Sequence, residues 1–431
     1  MNKTMSSDKK PLVGFFPLSY NLAETGRAVM IAKRYKELGG DIVFFSHGGE
    51  YEYLARYLEC DVVRVEPSHT EDFIERFVRI CRGDQRGLPY TKTVLREFVQ
   101  NEIEAYKQTG VEMIVTTHNY PCSISARAAN LPLVSVMTGP GSFHLSFPDE
   151  YENAVTRLLP RSVKIIVLNW LSSRSKKFLK PFNVVAREYN IKPFKSTENM
   201  ANGDVTLVTN FLKFINIFPH QQHFPAENYI GIILLEELFA NNFPAKKAKA
   251  INDEIQTHLE KSGKSILLSM GSSGDKTLFL NILQILNKTP HKVIAVYANN
   301  LKDNELPELN DNILLKKFVP SIAQLHKTVD LAIIHGGQGT VYTAAYAGKP
   351  IIGIPMQSEQ HLNLEKMVGH GTGLMLSKKY FKQQTLLTAI NTIFDNYDHF
   401  LKHAQDLAQK LPKPEGDKNA AKQILEIARK N

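Results

Sequence analysis

Short apolar runs alternate with helix-period stretches along most of this chain, and that alternation admits few folds. Leu12–Pro17 is one such run. After it, apolar side chains fall at Ala28, Ile31, Ala32, Tyr35 and Leu38, a helical spacing that ends at Gly39-Gly40, and a second run, Ile42–Phe45, follows at once. The unit recurs as Met113–Thr116, Ser123–Asn130 and Leu133–Val136. Strands joined through a helix lie parallel, so the first half reads as a parallel sheet with crossover helices. Basic, less regular sequence fills roughly Phe143 to Ala201.

A loop rich in proline, histidine and glutamine, Pro219–Pro225, and the segment Gly231–Pro244 separate this half from a fresh start. The pattern then repeats: strands at Ser265–Ser269, Lys292–Tyr297, Ile313–Lys316, Leu331–Ile334 and Ile351–Ile354, with helices at Leu278–Leu286 and Val341–Ala347. Ala420–Arg429 is helical by periodicity, after a Pro412–Pro414 break. The spacing predicts an α/β chain of two doubly wound domains, in keeping with 431 residues, too many for one core.

Three cysteines, Cys60, Cys81 and Cys122, form no CxxC pair and leave an odd thiol, which suits a reducing, cytoplasmic setting. No stretch approaches the ~20 apolar residues of a spanning helix, and none is expected to cross a membrane. The formal charge is +9, from 52 basic and 43 acidic side chains. Its distribution matters more than its sum. From Arg157 to Lys195 there are ten basic residues against one acid, Glu188, which accounts for the whole excess. Apolar groups interleave there at Ile165–Leu168, Trp170-Leu171, Phe178-Leu179 and Phe182. That pattern suits an anionic or lipid ligand, or peripheral contact with the inner face of an anionic membrane; it equally suits a solvated helical face. No recognisable nucleic-acid motif accompanies the charge, and no nucleic-acid partner is expected.

The stretch from His335 to Asn363 carries most chemistry. The run Leu331–Ile334 feeds Gly336-Gly337-Gln338-Gly339-Thr340, which opens a short helix closed by Gly348. Glycines let backbone N–H groups approach a ligand, and a helix N-terminus carries roughly half a positive charge, so the turn suits a phosphate or diphosphate. A tight strand-to-helix turn with no ligand has the same sequence. Beyond the next strand come Pro355, Glu359-Gln360 and Asn363, an acid and two amides of the kind that grip sugar hydroxyls. In a doubly wound sheet both turns lie at the carboxyl edge, where ligands bind.

These residues resemble the donor signature of the UDP-glycosyltransferase superfamily, whose members have two facing Rossmann-like domains, the GT-B fold, with a cleft between them. Ser269-Met270-Gly271-Ser272-Ser273 resembles the family's SxGS turn, and Phe318-Val319-Pro320 its aromatic-Val-Pro loop. Ala126-Arg127-Ala128-Ala129-Asn130-Leu131-Pro132 is similar to the helix and strand before the acceptor loops. The resemblance implies an acceptor domain over 1–240, a donor domain over 241–405, and a C-terminal helix over 406–431 packing back on the first. It implies that His335, Gly337, Gly339 and Thr340 hold the diphosphate, Ser272 and Ser273 approach it from the opposite turn, Glu359 and Gln360 read the sugar, and backbone near Val319 meets the nucleobase. The plant family's ribose-binding glutamate corresponds to Thr343, which leaves UDP, dTDP and GDP open as the donor's nucleotide, with UDP and dTDP favoured.

The family's general-base histidine after the first strand corresponds to a position near Glu24, and its partner aspartate to one near Thr117, beside His118. The usual dyad is thus replaced. Glu24 with a pKa raised in a desolvated cleft, or His118 from the neighbouring loop, would take the acceptor proton; Glu24 capping the first helix is the structural alternative. The resemblance implies inverting transfer from a nucleotide sugar to a small-molecule or lipid hydroxyl. With no DxD in the chain, no metal is expected. A nucleotide-sugar epimerase of the same fold and a non-catalytic sugar-nucleotide-binding partner are the rival readings.

Overall fold

A computed structural model describes residues 11–81, 85, 90–139, 156–160, 162–167, 178–215, 224–240, 244–271, 274–298, 301 and 305–430. They divide into two compact units, one built from Met1–Gly141, Trp170–Ile233 and Pro414–Asn431, the other from Ser142–Asn169 and Leu234–Lys413.

The first unit carries six parallel strands: β1 (Leu12–Pro17), β2 (Asp41–Ser46), β3 (Val62–Arg64), β4 (Met113–Thr117), β5 (Leu133–Met137) and β6 (Val205–Val208). Their order is β3-β2-β1-β4-β5-β6. Helices cover the sheet, so its central strands carry apolar side chains on both faces rather than alternating. Phe15, Phe16, Phe44, Phe45, Ile114 and Val115 are all buried. Each such side chain contributes roughly 1.5–3 kcal/mol. The crossover helices include α1 (Leu22–Glu37), α2 (Glu71–Cys81), α3 (Lys92–Thr109), α4 (Cys122–Ala128) and α5 (Leu179–Glu188). Asn21 starts α1 by accepting hydrogen bonds from the N–H groups of Ala23 and Glu24, and Thr91 starts α3.

In the second unit β7 (Ser265–Ser269), β8 (Lys292–Val296), β9 (Ile313–Lys316), β10 (Leu331–Ile334), β11 (Ile351–Gly353) and β12 (Gly373–Met375) are ordered β12-β11-β10-β7-β8-β9, again all parallel. Its helices include α6 (Lys276–Leu286), α7 (Ile322–Thr328), α8 (Gln338–Ala347), α9 (Ser358–Gly369), α10 (Gln383–Asp395) and α11 (Tyr397–Lys410). Ile266, Leu268, Phe279, Ile282, Ile333 and Ile390 form part of its core. The last helix, α12 (Gly416–Lys430), belongs to the first unit, where Asp417 Oδ2 accepts from Arg34 Nε of α1 at 2.7 Å.

Both sheets therefore repeat one topology: strand 1 pairs with strands 2 and 4 of its own unit. The chain reverses direction between those two neighbours, and the loops leaving β1 and β4, or β7 and β10, part to open a crevice beyond the strand ends. Four expected strands match in full, β1, β7, β9 and β10. The basic stretch read as irregular holds α5, and β6 follows it.

Candidate active site

The second unit places His335 immediately after β10 and Gly271 just after β7, at the point where the strand order reverses. The His335 ring fills the space that side chains would need at two glycines. A Cβ on Gly271, whose φ is +65°, would lie 2.4 Å from His335 Cε1; one on Gly337 would lie 2.4 Å from its Nε2. Burial pushes the imidazole down to about 4, against a weaker upward pull from a Ser269 backbone hydrogen bond, so the ring is neutral at physiological pH. Its Nδ1 is buried without a hydrogen-bond partner among the described residues.

Gly337 is the residue from which α8 starts, and no side chain caps it. Nearby helices differ. Asp275 caps α6 by accepting from Leu278 N at 2.8 Å, and Ser321 caps α7 by accepting from Gln324 N at 3.0 Å. Gly339 is exposed, with nothing within 4 Å of a Cβ placed there, and Thr340 is half-buried. The α8 terminus is open to an anion where those of α6 and α7 are closed by side chains; α9, too, starts without a side-chain cap. Thr343 turns its hydroxyl back onto Gly339 O at 2.6 Å.

Helix α9 is bolted to this turn. Asn363 Nδ2 donates to Gly336 O at 3.1 Å, and Leu364 packs so closely that a Cβ on Gly336 would lie 2.6 Å from its Cδ1. Glu359 sits half-buried in the first turn of α9, its Oε1 accepting from Asn363 Nδ2 at 3.4 Å. Gln360 is buried, and its Oε1 accepts from Met356 N at 2.8 Å, which braces the loop between β11 and α9. Val319 lies half-buried in the loop between β9 and α7. Ser272 and Ser273 lie outside the described residues, as do Arg161 and residues 168–177 of the basic segment. Within that segment Leu158 and Ile166 are exposed.

In the first unit the strand order reverses between β1 and β4, and there Glu24 and His118 meet. His118 Nδ1 lies 3.1 Å from Glu24 Oε2, and Arg27 Nη1, one helical turn on, donates to the same oxygen at 2.8 Å. Asn21 already caps α1, so the Glu24 carboxylate is not needed there. Thr117, at the family's aspartate position, donates from Oγ1 to Glu24 O at 3.0 Å. The next residue, His118, adopts φ +58°, in the left-handed region. That backbone turn delivers its ring to α1.

The expectation that desolvation lifts the Glu24 pKa does not hold. Burial is the largest single influence and acts upward, but Arg27 and His118 together outweigh it and hold the carboxyl down to about 2. Glu24 is thus ionised through the working pH range and pairs with a histidine rather than accepting protons itself. A group depressed from 4.5 to about 2 on folding contributes stability above pH 4.5 that is lost as the pH falls through about 2. Glu24→Gln keeps the shape and removes the charge. We expect it to flatten that acid dependence in a pH series of thermal melts and to lower kcat by roughly 10- to 100-fold through loss of the carboxylate facing His118.

A second buried polar group stands behind this pair. Glu102 of α3 accepts from Asn119 Nδ2 at 3.0 Å and from Ser125 Oγ, while its Oε1 lies 2.8 Å from His47 Nε2. Sequence reasoning missed it, although one signal was present. Glu102 occupies the apolar stripe of α3 with Leu95, Phe98, Val99 and Tyr106, where a carboxylate must find partners.

Among known proteins, the chain is 23% identical over 351 residues to a PGL/p-HBAD biosynthesis glycosyltransferase of Mycobacterium tuberculosis, covering 80% of this chain and 76% of that protein. It is 25% identical over 234 residues to the uncharacterized UDP-glucosyltransferase YojK of Bacillus subtilis, a match spanning 53% of each chain. The crystal structure of the glycotransferase of kitacinnamycin superposes with a TM-score of 0.66 at 14% identity, covering 97% of this chain and 99% of the other, and shares its fold. Residues 110–406, which hold His118, His335, Gly337 and Glu359, match the family model UDP-glucoronosyl and UDP-glucosyl transferase. The chain belongs to that family.

Proposed function

We propose that this protein transfers a sugar from a nucleoside-diphosphate sugar, with a uridine or thymidine base, to a hydroxyl of a small-molecule or lipid acceptor, with inversion and without a metal. The observation that carries this reading is the uncapped, glycine-lined start of α8 at the carboxyl edge of β10, with His335 seated between Gly271 and Gly337.

In the proposed reaction the acceptor oxygen attacks the anomeric carbon, the bond from that carbon to the diphosphate oxygen breaks, and its electron pair leaves with the diphosphate. The growing charge is met by N–H groups at the start of α8, where the helix dipole supplies roughly half a positive charge, and by Thr340. His118 takes the hydroxyl proton. Its Nδ1 faces Glu24, so the proton is accepted at Nε2, and the ionised Glu24 stabilises the imidazolium that forms. Glu359 serves as the acid for the sugar hydroxyls. The cationic, apolar-interleaved segment Arg157–Lys195 supports an anionic or lipid acceptor, or contact with an anionic membrane. Among the described residues, no helix is long and apolar enough to cross a membrane.

An acceptor screen with UDP- and dTDP-hexoses, read by mass spectrometry, tests the activity. One acceptor is expected to gain one hexose, with nucleoside diphosphate released in equal amount. Turnover is expected to be unchanged by EDTA. Activity lost on chelation and restored by manganese would remove the metal-free mechanism, and free sugar nucleotide consumed without any acceptor product would remove the transfer.

A further inference from the structure

The loop that carries His118 also walls a small cavity in the first unit, of about 10 Å³, room for about one water molecule. Most of its wall is apolar, including Val136 and Met200, but three side-chain oxygens from three elements belong to it: Asn119 in the loop after β4, Ser123 in α4 and Ser135 in β5. Asn119 Oδ1, Ser123 Oγ and Ser135 Oγ are all buried, and none has a hydrogen-bond partner among the described residues. These residues are 2%, 4% and 3% exposed. Buried polar atoms are nearly always satisfied, so three orphans around one water-sized space point to a common partner.

Their chemistry defines that partner. The Asn119 amide nitrogen is committed, donating to Glu102 Oε1 at 3.0 Å and to Cys122 Sγ at 3.2 Å. Flipping the amide would set oxygen against carboxylate, so the orientation is fixed and Oδ1 can only accept. Each serine hydroxyl can donate or accept. A ligand here must be a hydrogen-bond donor to Oδ1, must be able to donate or accept at the two hydroxyls, and must be no larger than a few ångströms. Water meets all three conditions, and the usual buried water makes about three such bonds.

We infer that this cavity is a binding site for one ordered water, and that through it Asn119, Ser123 and Ser135 act as positioning residues for His118. The backbone supports the second half. His118 holds φ +58°, a conformation uncommon for a side chain-bearing residue, and persists there because its neighbours are tied on both sides. Thr117 is tied to α1 through Glu24 O. Asn119 is tied to Thr116, whose Oγ1 accepts from its N–H at 3.2 Å, and to Glu102 of α3. The water adds the links to α4 and β5, completing a frame that aims His118 at Glu24.

The positioning role rests on His118 being the proton acceptor; the water site stands on the three oxygens alone. A crystal structure of the full chain, at a resolution that shows ordered water, is expected to place one water within hydrogen-bond distance of all three. A dry cavity overturns the site. The double variant Ser123→Ala with Ser135→Ala is expected to lower kcat about tenfold, with nucleotide-sugar Kd unchanged, and to move the acid limb of the pH–kcat profile. A double variant with wild-type kcat and pH profile overturns the positioning role, as does one whose kcat falls with no change in the pH profile. If His118→Ala is fully active, the general-base reading fails on its own and carries the positioning role with it, while the density still decides the water site.

Discussion

With His118 replaced by alanine, kcat falls about 10²- to 10⁴-fold while the affinity for nucleotide sugar is unchanged. The size follows from the work assigned to the ring. An acceptor hydroxyl is a poor nucleophile until its proton is moving away, and among the described residues His118 is the histidine held at the strand-order reversal of the first unit by a carboxylate, 3.1 Å from Glu24. The affinity is spared because the residues proposed to hold the donor, His335 to Gln360, belong to the other unit. Steady-state rates with a saturating acceptor, beside calorimetric titration of the nucleotide sugar, separate the two quantities. A drop confined to affinity would place His118 in binding. His118→Gln, which keeps polarity without a titratable ring, is expected to be as slow as alanine.

Gly337→Val, in turn, abolishes most nucleotide binding while the first unit is untouched. A Cβ at this position would stand 2.4 Å from His335 Nε2. The ring is buried and has little room to retreat. The start of α8 must shift instead. Overpacking of this kind costs about 1–3 kcal/mol, and the same displacement carries the N–H groups off the diphosphate, so affinity should fall at least 10- to 100-fold. Gly339→Ala is the informative companion. Nothing lies within 4 Å of a Cβ there, and alanine is favoured over glycine in a helix by about 0.5–1 kcal/mol, so the protein should be as stable or more so. Any affinity lost in that variant reports crowding of the ligand and not damage to the fold. Melting temperatures and nucleotide titrations of both variants decide the matter.

The sheets were legible because central parallel strands are apolar without interruption, and β1, β7, β9 and β10 could be bounded to the residue. The edges were not. β3 and β12 have three residues each and are partly exposed, too short for periodicity to register. β6 was hidden because the basic run before it masks the regular helix α5. The donor turn was visible in its glycines, whose reason is steric: His335 and Leu364 occupy the places of the missing side chains. The proposed catalytic pair was visible only as two alternatives. Glu24 and His118 are distant in sequence and become partners because β1 and β4 pair in the sheet, Pro17 beside Thr117. Part of what sets the Glu24 charge was within reach: Arg27 lies at i+3 on the same helix, and together with His118 it overturns the effect of burial.

The claim beneath all of this is that the start of α8 grips a pyrophosphate. Crystals grown with a nucleoside-diphosphate sugar test it most directly. The account predicts density for the diphosphate against the backbone of residues 337–340, with the hexose beside Glu359. Well-defined nucleotide density anywhere else on the chain, with that turn bare, would contradict it.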